Sequence, residues 1–222
     1  MHDANAEGCA TMKNRGVTRA LTERDAMTVV VLDDDCFPTS DTPDIDTLRL
    51  GHLAALEPAF VPEFKVVCDP PSRGTPYYEL RNQRPVAASV GFWTNVGDFC
   101  AVRQLAQPGP MSFDQTPIFG HYFALCGMNL AFRPRDWLPW CRFIDVNRYD
   151  DIWMGWLWQR EAYRRGHCFN LGGPIVEHSR QSNVWVNLKQ EAEFAEQTET
   201  LWQKIAMHSS NDYDDLRSLL PV

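Results

Sequence analysis

The stretch Thr28-Val-Val-Val-Leu-Asp-Asp-Asp35 decides the fold class, because it joins a β-branched run directly to three consecutive carboxylates. Residues 28–32 contain three valines and a leucine without polar alternation, which is typical of a strand buried on both faces of an α/β sheet. The run therefore predicts a central strand that helices cover on both sides. It also predicts that the three aspartates lie together at the carboxyl edge of that sheet.

Helical and extended patterns alternate along the rest of the chain. The spacing of apolar residues predicts helices over 12–26, 47–56, 148–165 and 190–206, and strands over 64–68, 86–93, 128–132 and 169–178. A Gly-Gly-Pro break at 172–174 makes the last of these a bent strand or a strand pair. Because no repeat or linker-like tract interrupts the chain, we predict a single domain over residues 1–222, with loose tails at 1–11 and 208–222.

The composition limits the class of partner. Among 222 residues, 21 are Lys or Arg and 29 are Asp or Glu, giving a formal net charge of −8. This charge argues against nucleic acid or an anionic membrane as the main partner. No run approaches the roughly 18 apolar residues of a membrane span, and residues 1–15 lack the apolar core of a signal peptide. We therefore expect a cytoplasmic protein; its seven cysteines form no CxxC pair and predict neither a disulfide framework nor a zinc site.

The three aspartates and one histidine are candidate metal ligands. The carboxylates of Asp33, Asp34 and Asp35 are the ligand type that Mg²⁺ or Mn²⁺ prefers, and such a cation takes further ligands from water and a diphosphate. His178 follows an apolar pair at another strand end, where it would complete the coordination. The alternatives are a solvated loop with an N-capping aspartate and a histidine with a structural role.

Acidic and basic residues elsewhere are candidates for contact with the substrate. Asp150 and Asp151 lie at the start of the 148–165 helix. There they either stabilise the N-terminus of the helix or accept a hydrogen bond or a proton from a hydroxyl of a sugar. Arg73 and Arg81 belong to a loop-rich region in which arginines would bind phosphates bidentately, with a solvated surface as the alternative. The five tryptophans between residues 137 and 158 are expected in the core rather than against a ligand.

Four collinear motifs resemble the reversibly glycosylated polypeptides, a family also called UDP-arabinopyranose mutases. They are Leu32-Asp-Asp-Asp-Cys-Phe37, Cys126-Gly-Met-Asn-Leu-Ala-Phe132, Tyr149-Asp-Asp-Ile-Trp-Met-Gly-Trp156 and the stretch from His178 to Glu191. The resemblance covers about residues 28–202 and implies a GT-A type fold, an α/β fold with a mixed central sheet flanked by helices, that binds a UDP-sugar and a divalent metal. It also implies interconversion of UDP-arabinopyranose and UDP-arabinofuranose, for cell-wall polysaccharide synthesis, with reversible attachment of a sugar to an arginine of the enzyme.

The same resemblance assigns roles to individual residues. The aspartates of the first motif, Asp33 to Asp35, would bind metal and diphosphate, and His178 would be a further metal ligand. Asp150 or Asp151 would lie near the sugar. Arg73 is the implied glycosylation site and Arg81 the implied second functional arginine, in a stretch with one extra residue between them.

One departure from the family concerns the residues before the first motif. Only 32 residues precede Asp33, which is room for one helix and one strand, whereas a βαβ unit needs roughly 30 residues or more. The N-terminal strands of the GT-A fold are therefore expected to be missing. Two alternative functions stay open, a glycosyltransferase that delivers the sugar to a separate acceptor and a non-catalytic partner subunit of a mutase complex. The resemblance further implies homo- or hetero-oligomers with family members and, in a eukaryote, a location peripheral to the Golgi.

Overall fold

The computed structural model describes residues 8–61, 73, 82–95, 99–106, 116–179 and 183–222. The strands in this part of the chain are β1 (Val29–Leu32), β2 (Cys36–Phe37), β3 (Ala59–Phe60), β4 (Gln83–Arg84), β5 (Val86–Asn95), β6 (Thr116–Ile118), β7 (Asn129–Phe132) and β8 (Cys168–His178). The helices are α1 (Cys9–Arg24), α2 (Ile45–Ala55), α3 (Ala101–Ala106), α4 (Pro134–Trp137), α5 (Asp150–Arg164), α6 (Val184–Ala192), α7 (Ala195–Met207) and α8 (Tyr213–Arg217). The strand predicted over 64–68 lies outside the described residues.

A mixed sheet organises the molecule and confirms the predicted α/β class. Its strand order is β1-β7-β5-β8-β2, with β6 paired to the first half of β8. Both β1 and β5 run antiparallel to β7, and β5 runs parallel to β8, so the carboxyl ends of β1, β5 and β8 meet at one edge. Residues 33–35 are all that connects β1 to β2, at opposite ends of the order. This short acidic segment therefore crosses the carboxyl edge of the sheet.

Among the described residues β1 lies at the edge of the sheet, whereas the sequence predicts a central strand. Within the described residues it pairs with β7 alone. Its apolar sequence has another cause, since Val31 packs into the main core on one face and Val30 contacts two smaller apolar clusters on the other. A continuous apolar run reports that both faces are covered, but it carries no information about how many strands are hydrogen-bonded beside it.

α5 lies at the centre of the main core. Trp158 is fully buried and meets Phe132 of β7 and Phe169 of β8 edge to face, with ring centroids 5.2 and 5.4 Å apart. The five tryptophans predicted to be in the core are at most 6% exposed, which confirms that prediction. Because aromatic packing fixes α5 on the sheet, the N-terminus of the helix is held in a set position relative to the carboxyl edge.

The C-terminal part of the chain is more ordered than its composition predicts. α8 buries Leu216, and Leu220 after it packs into the same core, so the expectation of a loose tail over 208–222 is wrong. The helix predicted over 190–206 is two helices, α6 and α7, that break beside Phe194, whose ring packs on Trp153. At the other end, α1 already begins at Cys9, inside the segment predicted to be a tail. Across the described ranges, no helix combines the length and apolar character needed to cross a membrane.

A fully buried polar cluster joins α2 to the face of the sheet that lies opposite α5. It consists of His52, Ser89 and Asn129, and we call it the inner network. His52 Nδ1 lies 2.9 Å from Ser89 Oγ, and its Nε2 lies 2.7 Å from Asn129 Oδ1. The Asn129 amide nitrogen donates to the carbonyl oxygens of Phe92 (3.2 Å) and Pro174 (2.8 Å). Burial, partly offset by the bond to Asn129, lowers the pKa of His52 to about 4, so the imidazole is neutral at pH 7.

Candidate functional site

A cavity of about 440 Å³ opens at the carboxyl edge of the sheet, and we call it the acid cavity. Its charged and polar lining comes from loops and helix ends on several sides: Lys13, Asp33, Asp35, Asn147, Arg148, Asp150, Asp151, His178, Gln190 and Glu191. Five residues singled out from the sequence thus converge on one cavity, although they come from three separate motifs. Strand direction explains the convergence, since these motifs follow β1 and β8 or precede α5 at the same edge.

The first wall of the cavity joins the acidic segment to the end of β8. Cys36 of β2 stands opposite His178, and the backbone N–H of Ser179 donates to the carbonyl of Asp35 (3.1 Å). This pairing sets Asp35 Oδ2 3.4 Å from His178 Nε2. Asp34 differs from its neighbours, because its side chain is exposed and does not line the cavity.

The two acids at the start of α5 have different environments. Asp151 Oδ2 accepts a hydrogen bond from the backbone N–H of Gly127 (2.7 Å), which holds the helix against the loop before β7. A Cβ at Gly127 would lie 2.7 Å from the ring of Phe143, so the close approach requires glycine. Asp150 Oδ2 is buried and accepts no hydrogen bond from the described residues. Oδ2 of Asp151 is therefore occupied by a backbone contact, whereas Oδ2 of Asp150 has no such contact from the described residues.

Burial also affects the proton affinity of Asp150. Desolvation raises the pKa of this carboxyl, and the positive charge of Lys13 acts in the opposite direction with less effect. A carboxylate with a raised pKa is a stronger base than an exposed one. The position of Asp150 in the cavity therefore suits it to accept a hydroxyl proton.

The opposite wall is built around Glu191, which sequence analysis did not single out as a site residue. Its Oε2 accepts from the backbone N–H of Ala101 at the start of α3 (2.7 Å), and its Oε1 accepts from Arg148 Nε (3.2 Å). Arg148 has a left-handed backbone (φ 64°), and the ion pair with Glu191 stabilises its side chain in this position. These contacts fix the cavity wall, so Glu191 and Arg148 support the site as a framework.

Lys13 is a second residue that sequence analysis missed. Its ammonium lies 2.9 Å from Asp33 Oδ1, and its side chain is only 12% exposed. A signal was present, because Ala10, Lys13 and Val17 share one face of α1 and both apolar residues are buried. A lysine on the buried face of a helix is rare without an acidic partner.

The charge balance of the acid cavity indicates what it would bind. Among the described residues, five carboxylates and two cationic side chains line it, so this part of the lining attracts cations and disfavours a bare diphosphate. The described residues contain no group of three His, Cys, Asp or Glu side chains arranged to hold a metal ion. Asp35 and His178 are adjacent, however, and Mg²⁺ commonly uses one or two protein ligands together with substrate phosphates and water. The donor set therefore fits a divalent cation that arrives with a diphosphate.

The structure does not test the roles predicted for the two arginines. Arg73 is an exposed turn residue and is absent from the cavity lining. Arg81 lies outside the described residues. Their implied roles therefore stay predictions.

Comparison with known proteins agrees with the motifs. The sequence model of the family described as "Reversibly glycosylated polypeptide" matches residues 20–212. The probable UDP-arabinopyranose mutase 1 of Pisum sativum is 33% identical over 181 residues, which cover 73% of this chain and 50% of the pea protein. UDP-arabinopyranose mutase 1 of Oryza sativa subsp. japonica is 31% identical over 182 residues, with the same coverage. The chain spans about half the length of the curated relatives it matches.

Proposed function

Because the chain belongs to the reversibly glycosylated polypeptide family, whose fold is of GT-A type, we propose that it is a UDP-sugar mutase. The proposed reaction interconverts the pyranose and furanose forms of a UDP-pentose such as UDP-arabinose, as the names of the relatives indicate for those proteins. The observation that carries the proposal is the convergence of Asp35, Asp150 and His178 on one cavity. These residues come from three motifs that resemble the family, and a shared cavity gives them a common ligand.

The proposal includes a divalent cation, Mn²⁺ or Mg²⁺. When bound, the cation would offset the charge of the diphosphate and make UDP a better leaving group. Asp35 and His178 are the residues that would hold it, because their side chains are adjacent where the acidic segment meets the end of β8. The surplus of carboxylates in the cavity supports this part of the proposal, since a diphosphate without a cation would be repelled there.

In the proposed reaction the bond between the anomeric carbon and the diphosphate oxygen breaks, and its electron pair stays with UDP. A different hydroxyl oxygen of the sugar then bonds to the anomeric carbon, the bond between that carbon and the former ring oxygen breaks, and the bond to UDP re-forms, so UDP is not released overall. The hydroxyl that joins the ring must lose a proton, and the hydroxyl that leaves the ring must gain one. We assign this proton transfer to Asp150, which would take the proton from one hydroxyl oxygen and return it to the other. Its buried Oδ2 has no hydrogen bond from the described residues, and burial raises the pKa of its carboxyl.

Transient attachment of the sugar to Arg73 is a separate part of the proposal. In this step a carbon–nitrogen bond forms between the anomeric carbon and the guanidinium, UDP leaves with the electron pair of the broken bond, and the guanidinium loses one proton. Reversal returns the sugar to UDP. Incubation with UDP-arabinopyranose should add the mass of one pentose residue to the wild-type protein and none to Arg73→Lys, and Arg19→Lys on α1 serves as an exposed control. A pentose on another residue in the wild type would contradict the assignment.

Two measurements test the central proposal. Calorimetric titration of UDP should show binding that requires Mn²⁺ and that is lost in Asp35→Ala, whereas Asp41→Ala, with the same charge change at an exposed position, should bind like the wild type. Chromatography of UDP-arabinopyranose after incubation should then show the furanose isomer without stoichiometric release of UDP. Release of UDP with sugar transfer to an added acceptor would instead indicate a glycosyltransferase. Failure of the folded chain to bind UDP would contradict an autonomous enzyme, and recovery with a longer family member would indicate a partner subunit.

The family resemblance also supports oligomers with family members and a cytoplasmic location, peripheral to the Golgi in a eukaryote. Light scattering of the purified chain, alone and mixed with a longer family member, should give the mass of a dimer or larger assembly. Fractionation of the source cells tests the location. A monomeric mass for the chain, both alone and in the mixture, would contradict the proposed assembly.

A further inference from the structure

Lys13 lies outside the segment that matches the family, residues 20–212, and its side chain nevertheless lines the acid cavity. We propose that Lys13 is a diphosphate-binding residue of this chain, whose ammonium group, held at the cavity wall by Asp33, contacts the diphosphate of the bound nucleotide. The inference rests on the proposed function, because it takes a nucleoside diphosphate as the ligand. It adds a binding residue that the family motifs do not contain.

The side chain of Lys13 is fixed along its length. Ala10 and Val17, on the same face of α1, are buried in the main core, which holds this face of the helix against the sheet. The ammonium lies 5.1 Å from the ring centroid of Phe143 and 2.9 Å from Asp33 Oδ1. A lysine that is already ordered loses little side-chain entropy when it binds a ligand, so its contacts contribute to affinity with a small opposing cost.

The ammonium is paired with a carboxylate in this position. Asp33 Oδ1 lies 2.9 Å from Lys13 Nζ, and the opposite charges hold the ammonium at the cavity wall. An ammonium group has three N–H donors, and Asp33 accepts from one of them. The group can therefore pair with Asp33 and donate to a phosphate oxygen at the same time.

The location of Lys13 distinguishes it from Arg148, the other cationic side chain in the cavity lining. Arg148 is engaged by Glu191 through both its Nε and a terminal nitrogen, at 3.2 and 3.1 Å. Lys13 instead lies beside Asp33, two residues from Asp35 and on the wall where the cation would be held. A diphosphate bound to a cation at Asp35 and His178 would therefore meet Lys13 on the same wall.

A different explanation is that Lys13 only neutralises Asp33. In that case removing the lysine would weaken nucleotide binding because Asp33 becomes an unpaired anion, and removing both charges would restore binding. Direct contact predicts the opposite result for the double variant. The pair of substitutions Lys13→Met and Lys13→Met/Asp33→Asn therefore separates the two explanations.

The test is calorimetric titration of UDP and, separately, of inorganic pyrophosphate, in the presence of Mg²⁺. Loss of a charge-assisted hydrogen bond should weaken binding of both ligands about 10- to 100-fold in Lys13→Met, and the double variant should stay equally weak. Lys13→Arg should retain most of the affinity, and Lys204→Met, at an exposed position on α7, should bind like the wild type. The double variant removes both members of the Lys13–Asp33 pair, so it leaves no unpaired charge at Asp33 and keeps the test valid if Lys13→Met fails to fold.

Two results would overturn the inference about Lys13 without contradicting the proposed function. They are unchanged UDP affinity in Lys13→Met and recovery of affinity in Lys13→Met/Asp33→Asn. Binding of pyrophosphate but not UDP by the wild type, with loss in Lys13→Met, would support Lys13 and contradict the proposed nucleotide specificity. Binding of neither ligand by the folded wild type would overturn both proposals.

Discussion

The inner network and the acid cavity both place polar side chains inside the molecule, and they differ in how those groups are satisfied. Both ring nitrogens of His52 have partners, and Asn129 bonds to three groups. In the acid cavity, Asp150 Oδ2 is buried and accepts no hydrogen bond from the described residues, and within the described part of the lining carboxylates outnumber cations by five to two. Hydrogen-bonded polar groups stabilise a fold. A buried excess of one charge lowers stability unless a bound ligand compensates it, so it indicates a binding site.

The largest expected effect is the disruption of the inner network by Asn129→Ala. The substitution removes the hydrogen bonds of the Asn129 amide to His52 Nε2 and to the carbonyl oxygens of Phe92 and Pro174, so we expect the free energy of unfolding to fall by about 4 kcal/mol. Urea denaturation measures this change. Asn211→Ala removes one exposed bond from Arg160 and should cost less than about 1 kcal/mol. A loss below about 1 kcal/mol for Asn129→Ala would show that the network has no structural role.

The second prediction uses the pH dependence of the same network. The pKa of His52 is about 4 in the folded protein, against an ordinary value of 6.5. Between these values the unfolded chain binds more protons than the folded one, so the free energy of unfolding decreases as the pH falls, by about 3 kcal/mol from this residue. Denaturation of wild type and His52→Gln at several pH values isolates the contribution. Equal pH dependence of the two proteins from pH 6.5 to 4 would refute the assignment.

A pair of glycines tests how tightly the inner network is packed. A Cβ at Gly91 would lie 2.2 Å from Asn129 Nδ2 and 2.6 Å from the carbonyl of Pro174, so Gly91→Ala should lower stability by about 2 kcal/mol. Gly16, inside α1, has open space around its Cβ position, and Gly16→Ala should raise stability by about 0.5 to 1 kcal/mol. Thermal unfolding of both variants gives the comparison. Similar melting temperatures would mean that the network can shift to accept a methyl group.

The smallest expected effect on stability is in the acid cavity. Asp150→Asn removes a charge with no hydrogen bond to Oδ2, so stability should change by less than about 1 kcal/mol. Conversion of UDP-arabinopyranose should nevertheless fall about 100-fold, since the proton acceptor is lost. Glu191→Gln provides the contrast, because Glu191 bonds to Ala101 and Arg148, and its loss should cost about 2 kcal/mol. A large stability loss in Asp150→Asn with unchanged conversion would reverse the roles assigned to these acids.

The sequence predicts the ends of strands better than the order of strands in the sheet. Asp35 and His178 could be assigned to strand ends because hydrophobic runs mark where strands stop. The order of strands depends on pairings between distant segments, and no local pattern records that β1 is at the edge among the described strands. The contact of Lys13 with Asp33 is likewise hidden, because it requires the packing of α1 on the sheet.

Equivalence in sequence does not imply equivalence in space. Asp150 and Asp151 are adjacent identical residues, but Asp151 Oδ2 accepts a hydrogen bond from the backbone of Gly127, whereas Asp150 Oδ2 accepts none from the described residues. The run of three aspartates behaves in the same way, since Asp34 faces solvent while its neighbours line the cavity. A turn directs successive side chains to different sides, and its geometry is set by the pairing of Cys36 with His178.

The short length of β2 has a consequence for exchange of amide hydrogens with solvent. Two residues, Cys36 and Phe37, pair with β8, whereas β5 is paired along most of its length. Local opening of the acidic segment therefore breaks few bonds, and its amides should exchange at a much lower opening free energy than those of β5. A ligand that bridges Asp35 and His178 would hold this segment against β8 and slow exchange there. Ligand binding should therefore be detected first as slower hydrogen exchange of the backbone amides of Cys36 and Ser179.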